Sequence, residues 1–300
     1  MKLEHKNYDY NTLPDFDEPV DSATVIPVTG HETGVTYIPD VVYMQDGGHD
    51  LTLQILQPYT YFPEDALYPI VLYVKGSSWK KQDVYKHVAA LGKLAEKGYV
   101  CAIVEYVSAE EMPFPAQIEQ TKNAVRYLKD HALEYHADKD KVILTGGSSG
   151  GHTAALAALT ADQDLFDRPA GETSAKVQGL ITMFGALEIT LEQGFPCFAA
   201  HSDEDMIQGF PGGEKVHDLI RKGAFNAKTY VSDCDFPVLC VHGTKDILVR
   251  CDQSTRFYEA LKAAGKQASM ILLKGSDHGG PAFWIPEMID AYDAFIQTCL

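Results

Sequence analysis

The sequence predicts an α/β fold, a single domain over residues 1–300 with a mostly parallel, twisted sheet and helices on both faces. Three observations predict it. Short unbroken apolar runs such as IVLYV (Ile70–Val74) and KVILT (Lys141–Thr145) recur along the chain, as strands buried on both faces require. Longer stretches with apolar residues at helical spacing separate them. Before the first such run, LTLQILQ (Leu51–Gln57) alternates apolar with polar residues, the pattern of an antiparallel strand with one wet face.

The elements follow in order. Residues 1–40 read as an N-terminal arm, acidic and punctuated by proline at its start. VVYMQ (Val41–Gln45) and Leu51–Gln57, joined through Asp46-Gly47-Gly48, form an antiparallel hairpin, because the glycines supply the turn. Ile70–Val74 is the first buried strand. A helix around Val84–Lys97 stops at Gly98, and YVCAIVEY (Tyr99–Tyr106) is the next strand. Pro115 opens a long helix with Ile118, Val125, Leu128 and Leu133 at helical spacing. Lys141–Thr145 is a strand and GHTAALAALTA, starting at Gly151, a helix. Val177–Phe184, Phe236–Gly243 and Ser269–Gly275 are further strands, and helices around Asp252–Ala264 and Pro281–Cys299 follow the last two. The stretch Leu187–Cys234 breaks this rhythm. It is loop-rich, carries Phe195, Phe198, Phe210, Phe225 and Tyr230, and predicts a small cap or lid-like insertion.

Composition narrows the function classes. Hydrophobic residues make up 45% and charged residues 22%, ordinary for a globular protein. The formal net charge of -17 repels a phosphate backbone and excludes nucleic acid as the expected partner. It also tilts substrate choice slightly toward neutral or cationic molecules. The six cysteines (Cys101, Cys197, Cys234, Cys240, Cys251 and Cys299) form no C-x-x-C pair and read as reduced thiols. The polar start and the lack of any membrane-spanning apolar run predict a cytoplasmic protein with no membrane partner. Nothing in the composition speaks to oligomeric state.

The chemistry is sought beyond the carboxyl ends of the strands, where open α/β sheets gather their functional groups. After KVILT comes GGSSGG and then a helix, the context of a nucleophile elbow. Residues two before and two after a nucleophile there must be small. Two frames satisfy this, Gly146/Ser148/Gly150 and Gly147/Ser149/Gly151. The Ser148 frame sets its first glycine directly against the strand end, which favours it. Asp246 lies a few residues past the strand Phe236–Gly243 and is the candidate to orient an imidazole, while Asp252 reads as a helix cap. His278 follows the last strand on a glycine-flanked loop and is the candidate base. Adjacent Asp277 does not orient it, because neighbouring side chains diverge. His242 is the reserve base, and His152, on the first helical turn after the elbow, packs or caps. The backbone N–H groups of Ser77 and Ser78, in the loop after Ile70–Val74, and of Ser149 are the candidate oxyanion donors. Trp79, Phe283 and Trp284 are candidates to line a substrate site, with core packing the expected role of at least half of the candidate aromatics. No cofactor and no metal is expected: there is no G-x-x-x-x-G-K, no dinucleotide fingerprint after a strand, no Cys/His cluster, and His131 and His136 lack i,i+4 spacing.

The segments VKGSSW, VILTGGSSGGHTAALAAL, PVLCVHGTKDILV and SDHGGPAFW together resemble the α/β-hydrolase superfamily, in particular the esterase/lipase branch related to hormone-sensitive lipase and to bifunctional acetylxylan/feruloyl esterases. The resemblance runs from about Val41 to the C-terminus and is weak over the arm and the cap. It implies an α/β-hydrolase fold, Ser148 as nucleophile in G-x-S-x-G-G-H, Asp246 as acid and His278 as base. The implied activity is a serine carboxylic-ester hydrolase using an acyl-enzyme, with short acyl or feruloyl esters of plant-derived carbohydrates, small molecules or oligosaccharides, as substrates. Two departures stand out. Lys75-Gly76-Ser77-Ser78-Trp79 replaces the usual H-G-G-G-W, and Val107 follows Tyr106 where an arginine is usual. Two rival readings stay open: an amide- or peptide-cleaving serine hydrolase of the prolyl-oligopeptidase type, and a catalytically silent ligand-binding protein on the same scaffold.

Overall fold

The apolar runs become the inner strands of one sheet. The computed structural model describes residues 14–60, 67–169, 171–189 and 212–300. Among them are β1 (Thr33–Asp46), β2 (His49–Thr60), β3 (Tyr68–Val74), β4 (Val100–Val104), β5 (Ala137–Gly147), β6 (Gly179–Met183), β7 (Val238–Gly243) and β8 (Ala268–Leu273). They lie in the order β1-β2-β4-β3-β5-β6-β7-β8. β1 pairs antiparallel with β2, and β2 with β4; the remaining pairs are parallel.

Alternation along each inner strand feeds two cores, since successive side chains leave opposite faces. Ile70, Leu72 and Val74 of β3 join Val142 and Leu144 of β5 on one face. There they meet α2 (Ala116–Asp130) through Ile118 and Leu128, α3 (Ser149–Leu159) through Leu156 and α5 (Asp252–Ala263) through Phe257. Val71, Tyr73 and Ile143 take the other face, under α1 (Val88–Ala95) and α6 (Pro286–Gln297). Covering both faces explains why these strands read as unbroken apolar runs.

Several boundaries differ from the sequence reading. The hairpin extends to Thr33 on one side and Thr60 on the other, well beyond Val41–Gln45 and Leu51–Gln57. Residues 14–32 carry no helix or strand and are mostly exposed. The C-terminal helix is interrupted: a 3-10 turn over Pro281–Trp284 precedes α6, with Ile285 extended between them. Pro286 is the cause, because its ring disfavours helical geometry in the preceding residue. Within Leu187–Cys234, residues 190–211 lie outside the described residues, and with them Phe195, Phe198 and Phe210. The rest holds α4 (Gly213–Arg221) and a 3-10 turn over Ala227–Asp233. Phe225 and Tyr230 are core residues there, 0% and 7% exposed.

Strand order positions the site. Chain progression runs outward from β3 to β4 on one side and from β5 to β8 on the other. The crevice beyond the carboxyl ends of β3 and β5 is therefore a topological switch point, where such sheets bind ligands. Val74 pairs with Gly146, so the loop after β3 and the GGSSGG turn after β5 lie side by side.

Candidate active site

The turn between β5 and α3 forces Ser148 out of ordinary backbone space. Its φ of 56° and ψ of -128° lie off the allowed regions for an L-residue, a strain of roughly 1–3 kcal/mol that the surroundings must hold. Close approach of strand and helix is what holds it. A Cβ on Gly146 would stand 2.3 Å from the Gly150 carbonyl oxygen, and one on Gly150 would stand 2.0 Å from that of Val74. Only glycine fits at either place, and the two bracket Ser148 at minus two and plus two.

The other two candidates converge on that hydroxyl. Ser148 Oγ donates to His278 Nε2 at 2.9 Å, and His278 Nδ1 donates to Asp246 Oδ2 at 2.7 Å. Ser148 and His278 are half-buried, while Asp246 is 6% exposed. Its other oxygen, Oδ1, accepts the backbone N–H groups of Leu248 at 2.9 Å and Val249 at 2.8 Å. Burial pushes the Asp246 pKa up, but hydrogen bonds from His242, His278 and Val249 and the His278 charge outweigh it. The carboxyl is held well below the usual carboxylate range.

His242 stands behind the acid, where the sequence offered it as a reserve base. It is fully buried. Its Nε2–H is shared between Asp246 Oδ2 at 3.1 Å and the Val249 carbonyl at 2.9 Å, and its Nδ1 meets Ser254 Oγ at 2.7 Å. Strand β7 ends one residue later and so delivers the ring beneath the acid loop, with Ser148 on the far side of Asp246. Asp277 makes no bond to the His278 ring; its Oδ1 accepts the backbone N–H groups of His278 at 2.7 Å and Ile247 at 3.1 Å, tying the loop of Asp246 to that of His278. Phe184, at the end of β6, meets the His278 ring edge-on at 4.8 Å. No sequence signal singled out Phe184, Asp277 as a brace, or His242 as a partner of the acid.

The loop after β3 departs from expectation at Ser77. Its N–H donates to Ser149 Oγ at 2.9 Å rather than facing the cleft unpartnered. Ser149 sits one residue into α3, which brings its hydroxyl against this loop. Its own N–H belongs to the first turn of α3 and has no intrahelical acceptor. Ser78 lines the cleft next to Ser148.

Of the three expected lining residues, only Trp284 borders the cleft. Trp79 is 5% exposed, and its indole N–H donates to His152 Nδ1 at 3.2 Å. Ser78 and Trp79 are both left-handed, at φ 55° and 57°, and this turns the indole onto α3. Phe283 is fully buried and packs on Phe184 with ring centroids 4.6 Å apart. The cleft has a volume of about 590 Å³ and also includes Tyr73, Phe184, Lys75, Lys86 and Lys93 among its walls. Among the described residues no cluster of His, Cys, Asp and Glu is arranged to hold a metal ion. Nor is any helix among them long and apolar enough to cross a membrane.

His152 packs, as expected. Its Nε2–H donates to the Phe225 carbonyl at 2.9 Å while Nδ1 accepts from Trp79, so the ring is neutral and fully buried. Burial drives its pKa from 6.5 to about 4. In that window the unfolded chain binds a proton the native state does not, so stability falls as pH falls from 6.5 toward 4. Burial lowers His87 to about 4 as well, with help from Lys75 and Lys86. We expect scanning calorimetry to show Tm dropping over this range, with a shallower slope in His152→Gln. An unchanged slope in the variant would remove His152 from this account.

The chain is similar to known proteins over most of its length. The sequence profile of the BD-FAE family matches residues 56–261, a span that holds Ser148 and Asp246 and stops short of His278. The "Probable carboxylic ester hydrolase LipM" of Mycobacterium tuberculosis is 27% identical over 201 residues, 66% of this chain and 46% of that protein. The chain spans about half the length of the curated relatives it matches. A truncated form of a carbohydrate esterase from gut microbiota superposes with a TM-score of 0.73 at 23% identity, over 91% of this chain and 98% of that one. A bifunctional GH43-CE protein of Bacteroides eggerthii gives a TM-score of 0.72 at 26% identity, over 88% of this chain and 38% of that one. The fold is the α/β-hydrolase fold.

Proposed function

Since the chain belongs to the BD-FAE family, on an α/β-hydrolase fold of the esterase/lipase kind, we propose that it is a serine carboxylic-ester hydrolase working through an acyl-enzyme. One observation carries the reading: an unbroken relay of hydrogen bonds from Asp246 through His278 to a strained serine at the mouth of a cleft.

Ser148 attacks the ester carbonyl as His278 Nε2 takes its proton. Asp246 keeps the proton of Nδ1 in place and supports the positive ring that forms. The oxyanion falls to the N–H of Ser149 and that of Ser78, because the Ser77 N–H is already engaged. His278 then passes its proton to the departing alcohol. Water, activated by the same ring, releases the acid and restores the hydroxyl. The similarity to a gut-microbiota carbohydrate esterase and to a bifunctional GH43-CE protein supports an acylated carbohydrate as substrate, and acetyl or feruloyl esters of plant-derived carbohydrates are what the sequence resemblance implies. A cleft of about 590 Å³ with Tyr73, Phe184 and Trp284 in its wall has room for either.

The test is labelling with a fluorophosphonate, mapping of the modified residue, and turnover of acetyl, butyryl and feruloyl sugar esters beside aminoacyl anilides. We expect the label on Ser148 and turnover of esters over anilides. Faster anilide cleavage favours a peptidase, and tight ester binding without product favours a silent binding protein; either result overturns the proposal.

A further inference from the structure

The cleft reverses the charge of the chain. The whole sequence carries 42 acidic and 25 basic residues. Yet among the described residues the basic side chains lining the cleft beside Ser148 and His278 are Lys75, Lys86, Lys93 and His87, with no carboxylate. The expectation from net charge alone, neutral or cationic substrates, is therefore opposed at the place that matters.

These groups are available to a ligand. Lys75, in the position where the family usually has histidine, spends one N–H on the Gly76 carbonyl at 2.9 Å. Lys93 spends one on the Trp284 carbonyl at 2.7 Å. An ammonium has three donors, so two remain on each. None of the three lysines forms an ion pair with a described carboxylate. Asp83 is close enough to be felt by Lys75 and His87, but burial and the Lys86 charge prevail, and the Lys75 pKa lies below its ordinary value. A second observation is independent of charge. The buried Nδ1 of His87 has no hydrogen-bond partner among the described residues. The ring is wedged between Tyr73 at 5.3 Å and Trp284 at 5.7 Å, both in the cleft wall. A buried polar atom left unpaired is costly, and a ligand group can satisfy it.

We propose that the cleft selects esters bearing a negatively charged group, a carboxylate or its equivalent on the acyl or the alcohol side, through Lys75, Lys86 and Lys93, with the unpaired Nδ1 of His87 buried behind them. This rests on the esterase reading of the same site and names the substrate class it prefers. An anion there meets charge-assisted donors, of which Lys75 is half-buried and Lys86 and Lys93 are exposed, so salt weakens the latter two contacts most.

The experiment compares matched pairs: 4-acetoxybenzoate with its methyl ester, for charge on the alcohol side, and 4-nitrophenyl hemisuccinate with 4-nitrophenyl butyrate, for charge on the acyl side. Calorimetric binding to Ser148→Ala and kcat/KM of the unaltered protein are both read. We expect the charged member of at least one pair to be favoured about tenfold at low ionic strength. The preference shrinks at about 1 M salt, where screening reaches roughly 3 Å. In Lys86→Glu the charged-to-neutral ratio falls toward or below one. Equal binding and equal kcat/KM within both pairs would overturn the proposal while leaving the esterase reading intact. Absence of turnover for every ester would sink that reading, and the binding arm would still decide this one.

Discussion

Ser148→Ala is expected to lower kcat for 4-nitrophenyl acetate by about 10⁶-fold, down to what binding and oxyanion donors alone provide. Ser149→Ala retains far more, falling about tenfold. In the proposed reaction the two neighbouring serines have opposite tasks. Ser148 Oγ is the atom within 2.9 Å of His278 Nε2, whereas Ser149 Oγ is turned to the Ser77 N–H. Removing the second hydroxyl leaves one partly buried donor unpaired, a cost of about 1–3 kcal/mol, some of it felt as a looser loop beside the oxyanion. Both variants are read under the same steady-state conditions, with circular dichroism as the control for folding. A larger loss in Ser149→Ala than in Ser148→Ala would reverse the assignment of the nucleophile.

Asp246→Asn comes second, with kcat expected to fall about 10⁴-fold at nearly constant KM. The four donors around this carboxylate give the reason. Oδ1 takes two backbone N–H groups, and Oδ2 takes the His278 and His242 ring protons. An amide offers only one oxygen. Whichever way it turns, an NH₂ faces donors, and when it faces His278 Nδ1 the ring takes the tautomer that cannot accept the serine proton. A lower Tm accompanies the loss of activity, because the backbone pair or the His242 ring is left unpaired. A variant that keeps kcat within tenfold would show that Asp246 does not hold the ring during reaction.

Much of this architecture was legible beforehand for reasons that are local. A strand buried on both faces must be apolar throughout, and Ile70–Val74 and Lys141–Thr145 announced themselves so. A turn that brings strand and helix into contact must be glycine two places before and after its apex, which marked Gly146 and Gly150. The boundary of α6 was also local, yet Pro286 was passed over because the apolar spacing continued across it. Trp79 and Phe283 were misplaced for a different reason. Aromatic composition does not say whether a ring faces a cleft or a core. That depends on the left-handed turn at Ser78 and Trp79 and on the rings already packed under Phe184.

By itself, the sequence determined the layered sheet, the elbow, and the chain order Ser148, Asp246, His278, because side-chain alternation and glycine requirements act over a few residues. The tertiary structure decided which serine faces the imidazole, put His242 against Asp246, and set the lysines of the β3 loop and α1 in the cleft wall with Ser148. Those are contacts between segments far apart in the chain. They follow from β3 lying between β4 and β5 with the loops after β7 and β8 folding back over the same crevice, a three-dimensional proximity that no spacing along the sequence encodes.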